Sequence, residues 1–281
     1  MRRSIVCTLV SVAIVIVSAM NMMADEPEKA KDDELTTKRY ELMQARMASV
    51  IVKSDAEGPP AKFASKPIFR YTDPARSYVA AAVWKLGEEG RPKAIITSEL
   101  HRQFYGQPRI VYEYLSLTPA KFTVTGKDMR WAPEGTTLEF KPVPDTQAPE
   151  ETPQRRLLQL RAIVKRFGGA ELVGKEQCEL RLLPQPIDRY IPSSVDRSDG
   201  AIFIAAYGTN PEAILFIESD GKSWNYAAGR LAGATTITLT IDGTTAWEGT
   251  PVRYGWNQPY TASNAPAEIP GIAPDGSEIK E

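Results

Sequence analysis

The chain is poor in the residues from which most chemistry is built. Its 281 residues hold one histidine, His101, and two cysteines, Cys7 and Cys178. One histidine excludes the usual histidine-rich zinc sites and leaves any Ser-His-Asp triad dependent on His101 alone. No nucleophile-elbow pattern lies near it, and no glycine-rich phosphate loop opens a helix. The net charge of −1 gives no basic field to draw nucleic acid or acidic lipid. Asp199-Gly200, Asp220-Gly221 and Asp242-Gly243 lack the ladder of oxygen ligands a calcium loop needs, and they read as turns. No cofactor and no metal site are expected.

Long apolar runs are also scarce. The longest, Ile5 to Val17, is short for a membrane span. Arg2 and Arg3 precede it, and Val17-Ser18-Ala19 follows with small residues, so residues 1–24 read as a secretory signal peptide cleaved after Ala19 or Ala24. An uncleaved anchor is the alternative, and the only expected contact with a membrane. The mature chain is then extracytoplasmic, periplasmic or secreted. Only Cys178 survives cleavage, so no intramolecular disulfide can form. Cys178 alternates with Leu180 and Leu182, which makes it a small buried hydrophobe on a strand.

What the sequence does have is an internal match. Pro67-Ile68-Phe69-Arg70-Tyr71 returns as Pro186-Ile187-Asp188-Arg189-Tyr190, a shift of 119. Nine of the 33 positions from Pro67 to Glu99 are identical at that shift, against roughly two by chance. Beyond Glu99 the shift becomes 116, which matches Leu115 with Leu231 and Trp131 with Trp247. Helical spacing over Thr37–Val50 precedes the first copy, and Arg155–Phe167 precedes the second with an apolar face opposite a basic one. Short runs with turn residues between them predict antiparallel meanders. The expected class is α+β, a tandem duplication in which each unit packs one helix on an antiparallel β-meander. The expected order is a mobile segment 25–36, unit 1 over 37–141, a Pro-rich linker 142–153, unit 2 over 154–260 and a disordered tail 261–281. Whether the units are separate domains or share one core stays open.

The polar candidates sit in matching places: Arg70, Tyr71 and Glu99 in the first copy, Arg189, Tyr190 and Glu218 in the second. One reading pairs each arginine with the glutamate of its own copy as architecture. The other pairs Glu99 with Glu218 as acid and base of a glycan hydrolase, which requires their carboxyls within roughly 5–10 Å. Trp131 and Trp247 read as sheet packing. Tyr254 and Trp256 are able to stack on sugars or to dock the tail.

Phe69-Arg70-Tyr71, the helix Arg155–Phe167, the run Leu180 to Tyr190 and Gly208-Thr209-Asn210-Pro211-Glu212 together resemble a family of uncharacterised secreted proteins of planctomycete bacteria. The resemblance covers most of the chain after the signal. It implies export and no particular chemistry. Asp188 departs from the aromatic expected there. The function expected is a non-enzymatic binding or structural protein of the cell envelope or extracellular space, with an unknown ligand or envelope component as partner and no nucleic acid. The alternative is a secreted hydrolase acting on an envelope glycan through Glu99 and Glu218.

Overall fold

A computed structural model describes residues 32–54 and 61–279. The expected signal peptide lies outside the described residues. Helix α1 (residues 32–48) buries Tyr40, Met43 and Met47, a stripe at the three- and four-residue spacing of one helical face. Helix α2 (Pro153–Val164) begins at Thr152, whose hydroxyl caps the Arg155 amide, with proline at the first helical position, where no amide partner is needed.

The strands are β1 (Ile51–Ser54), β2 (Phe69–Asp73), β3 (Tyr78–Leu86), β4 (Ala94–Phe104), β5 (Gln107–Ser116), β6 (Phe122–Gly126), β7 (Met129–Trp131) and β8 (Lys141–Pro142) before α2. After it come β9 (Phe167–Val173), β10 (Glu176–Leu182), β11 (Asp188–Tyr190), β12 (Ser198–Tyr207), β13 (Asn210–Asp220), β14 (Trp224–Arg230), β15 (Thr236–Ile241), β16 (Thr244–Gly249) and β17 (Tyr260–Pro266). Every described pairing is antiparallel. One sheet runs β1-β6-β7, a second β17-β5-β4-β3-β2, and a third β16-β15-β9-β10-β12-β13-β14-β8 with β11 beside β12.

Three apolar layers follow from strand alternation. Ala80, Ala82 and Trp84 of β3 face a first core that also holds Met43, Met47 and Trp131. Phe203, Leu215 and Ile217 face a second core under α2, with Leu160 and Ile163. The residues between these, Ala81 and Val83 on one sheet and Ile202, Ile204, Ile214 and Phe216 on the other, meet in a third layer sandwiched between the halves. Central strands β3 and β12 are therefore covered on both faces, which is why they read as unbroken apolar runs rather than alternating ones.

This architecture corrects the expected fold. Strand makes up 48% of the structure and helix 13%, the sheets are curled, and the arrangement is not a tandem helix-plus-meander duplication. The halves do not close on themselves. β17, from the stretch expected to be a disordered tail, completes the first-half sheet beside β5. β8, at the edge of the expected linker, joins β14. The first half divides into sheets of three and five strands, whereas β10 fuses the second half into nine. The expected helix Arg155–Phe167 ends three residues early, at Val164, and Phe167 opens β9 instead. Gly168 and Gly169 lie within β9 and do not cap the helix. A β-carbon on Gly169 meets Leu239 Cδ2 at 2.9 Å, so glycine is there because β9 threads closely between β15 and β10.

Candidate functional site

The middle layer carries the polar groups that matter. Tyr71 on β2 aligns with Ala81 on β3, which aligns with Glu99 on β4. The Tyr71 hydroxyl donates to Glu99 Oε1 at 2.8 Å, and His101 Nε2 meets Glu99 Oε2 at 3.0 Å. Tyr190 on β11 repeats the geometry through Gly200 to Glu218, with an O–O distance of 2.6 Å. Gly200 is needed because the Tyr190 ring lies where its β-carbon would be, 2.6 Å from the ring edge. Burial and the adjacent carboxylate push both tyrosines well above the ordinary phenol value.

The arginines do not make the pairing expected of them. Arg70 is exposed and lies over the Tyr40 ring at 4.3 Å rather than on Glu99. Arg189 donates to Asp199 Oδ2 at 2.6 Å, beside buried Arg156 at 2.9 Å on the same oxygen. Asp199, Arg156 and Arg189 thus tie α2 to β12 and β11. Glu218 is instead held by Arg91, from the β3–β4 hairpin, which grips both carboxylate oxygens and lies over the Phe140 ring at 4.3 Å. This contact joins the two halves. A cavity of about 230 Å³ opens there, lined by Arg91, Phe140, Ser193, Glu218, Asp220 and Asn225. Lys85 pairs with Asp188 at 2.6 Å, so the residue that the sequence match sets against Phe69 makes an ion pair between the halves.

Glu99 and Glu218 therefore belong to different constellations. Glu212, six residues before Glu218 on β13, is on the side of the layer where Arg76 enters, with Arg76 NH1 at 2.7 Å from its Oε1. Six strand residues span roughly 20 Å. Glu99 and Glu212 both act on Tyr78, whereas Glu218 faces Arg91. At the Glu212 end carboxylates outnumber cations. Burial first, then Glu171, pushes Glu212 up to about 7 despite Arg76. Glu113 on β5, with Glu99 and Glu212 in reach, is raised well above the usual carboxylate range, again mainly by burial. Sequence reasoning missed Arg91, Arg76, Glu113 and Glu212. Glu113 was legible in principle, since it stands on the alternation of Val111 and Leu115 and so points into the core.

A larger cavity lies elsewhere. A groove of about 940 Å³ runs between α1 and the segment after β17, with Leu42, Pro108, Ile269 and Ile272 as apolar lining and Arg46 and Lys127 at its edge. Among the described residues, no group of three or more His, Cys, Asp or Glu side chains is arranged to hold a metal ion. Trp131 is fully buried and donates to the Gln258 carbonyl, while Trp256 is 55% exposed and carries Arg130 over its ring. Cys178, expected to be buried, is half-buried. Comparison with family models, curated proteins and solved structures finds no match for this chain.

Proposed function

We propose that the chain is an exported, non-enzymatic binding or structural protein of the cell envelope or extracellular space. The observation that carries this reading is the commitment of its best carboxylates. Glu99 is held by Tyr71 and His101, and Glu218 by Tyr190 and Arg91, in separate constellations. An acid–base pair needs one carboxyl free to give a proton and both aimed at one bond. The tyrosine and histidine contacts lock strands within a sheet, and the Arg91–Glu218 contact joins the two halves. The groove beside α1 has the volume of a small-molecule site and a mostly apolar lining, which suits binding. Export rests on the residues before Asp25 and on the resemblance to secreted planctomycete proteins.

The test is a purified mature protein presented with fractionated envelope components. A fraction that raises the melting temperature and is recovered unchanged supports binding. Hydrolysis of an envelope glycan or ester, lost in Glu99→Gln or Glu218→Gln, replaces this reading with the hydrolase. N-terminal sequencing of the product from an expressing cell reads the export step: processing yields a chain beginning at Met20 or Asp25.

A further inference from the structure

We infer that the recess at the seam of the nine-stranded sheet binds one neutral sugar ring of a glycan, stacked on Trp247. The inference rests on the binding reading above and names a ligand class for it.

The curl of the sheet makes the recess. Its order runs from β16 at one edge to β8 at the other, and it curls until β14 and β16 approach each other. β8 covers β14 only at Asn225 and Tyr226, so beyond Tyr226 no described strand pairs with that edge of β14. Arg230 stitches the far end of the seam by donating to the carbonyls of Thr235 and Thr250. At the near end a cavity of about 260 Å³ stays open, with Tyr226 and Trp247 as walls and Ala228 and Ala246 as a floor too small to fill it.

Local backbone chemistry aims the walls. The register of β15 with β16 slips so that Trp247 aligns with Leu239 and Thr245 with Thr240. Ala246 is the extra residue of a β-bulge, and both it and its neighbour Trp247 line the cavity, which regular alternation forbids. Gly249 lets the indole lie back along the strand, since a β-carbon there would sit 2.4 Å from the ring. Phe167 meets the Tyr226 ring edge-on, with centroids 5.2 Å apart. Both rings are therefore held before a ligand arrives. Neither the Tyr226 hydroxyl nor the Trp247 indole N–H has a hydrogen-bond partner among the described residues. Trp131, which the sequence match sets against Trp247, is fully buried and spends its indole N–H on the Gln258 carbonyl.

The rim is polar. Thr137, Glu139 and Lys141 alternate with Leu138 and Phe140, so the first three border the recess while the other two pack into the middle layer. Glu248 of β16 completes the rim. Glu139 and Lys141 lie 3.9 Å apart and both are well exposed, so that pair is weak and leaves the space free. A pyranose carries the matching pattern: C–H bonds on one face for the rings, and hydroxyls at its edge that both donate and accept. An acyl chain leaves the rim unused, and a phosphate or uronic acid meets two carboxylates against one lysine. The volume lies just under the range of drug-sized sites, roughly 300–1,000 Å³, which suits one ring rather than a chain segment.

The experiment is nitrogen-15 NMR of the mature protein, following the indole N–H signals of its five tryptophans. Trp247→Phe assigns the signal that disappears. The probes are the methyl β-glycosides of glucose, galactose, mannose and N-acetylglucosamine, with glucuronic acid and glycerol as comparisons. The expected result is a saturable shift of the Trp247 signal with at least one neutral glycoside while the exposed Trp256 stays still. Glucuronic acid binds about 2–5-fold more weakly, the worth of an exposed charge contact. Trp247→Phe weakens binding roughly 3–10-fold, the worth of the larger ring. Tyr226→Phe and Glu248→Gln, which keep the packing, each weaken it roughly 2–10-fold, the worth of one hydrogen bond. No shift at Trp247 with any of the four glycosides, an equal shift with glycerol, or affinity unchanged in both Tyr226→Phe and Glu248→Gln overturns the inference. If the glycosides are inert while an envelope fraction stabilises the wild type and Trp247→Phe alike, the sugar site falls and the binding reading stands. If the protein turns over an envelope glycan, the binding reading falls on its own.

Discussion

Raising the pH from 5 to 8 should weaken this protein, and Glu212 should account for a definable part of the loss. Glu212 is 2% exposed and sits between Arg76 and buried Glu171. Its carboxyl moves from an ordinary 4.5 to about 7 in the folded chain. Below pH 4.5 both folded and unfolded chains are protonated, and the stability is intact. As the pH climbs toward 7 the unfolded chain loses its proton while the folded one keeps it, so the unfolded state gains. The loss is complete once the pH passes the folded value. At ~1.4 kcal/mol per tenfold change in acidity the total is about 3 kcal/mol. Glu212→Gln is nearly isosteric with the protonated acid and cannot titrate. Urea unfolding at half-unit steps from pH 4.5 to 8.5 should show the variant close to wild type in acid and about 3 kcal/mol more favourable relative to it above pH 7.5. A constant difference between the two proteins across that range would refute the reasoning, because Glu212 would then be ionised in both states throughout.

Three other outcomes follow from the same contacts. Arg91→Ala removes the bidentate partner of Glu218, which is 5% exposed. Since Arg91 is itself 40% exposed the loss should be about 1–3 kcal/mol, with the melting temperature as readout. Arg156→Leu strands Asp199, 1% exposed, with only the partly exposed Arg189 as cation, and should cost about 3 kcal/mol by urea unfolding. Asp199→Asn in the same background should recover part of it. Gly169→Ala places a methyl at 2.9 Å from Leu239 Cδ2 and 3.2 Å from Leu180 Cβ, and should cost about 1–3 kcal/mol. Gly174→Ala, in a turn with φ of 64°, meets no atom and should cost less than Gly169→Ala.

Much of the strand pattern was legible because it depends on neighbours in sequence. Tyr78–Leu86 is a strand, a short apolar run that ends at Gly87, and the Asp242-Gly243 turn joins β15 to β16 as its residue types require. Tyr71 and Glu99 were found because their spacing recurs at Tyr190 and Glu218. The unread part depends on distance in the chain. Nothing local in Tyr260–Pro266 announces a strand, since small and polar residues there acquire order only from the waiting edge of β5. Arg156 looked like a solvated base on the polar face of α2, and it is buried because Asp199 arrives from β12 to meet it. Arg91 was hidden in a hairpin that reads simply as a turn. Which cation meets which carboxylate is decided by how the halves stack, and the repeat suggested partners within a half while the layer supplies them across it.

The pairing of β17 with β5 bears on how the molecule comes to exist. Tyr260 aligns with Leu115, 260 − 115 = 145 positions earlier, so the edge of the N-terminal sheet stays open until most of the chain has been delivered. Such a distant closure is slow, because the loop must be brought together before its contacts repay the loss of freedom. β17 acts as the clasp of the first-half sheet, which settles only once residues 260–266 are in place beside β5.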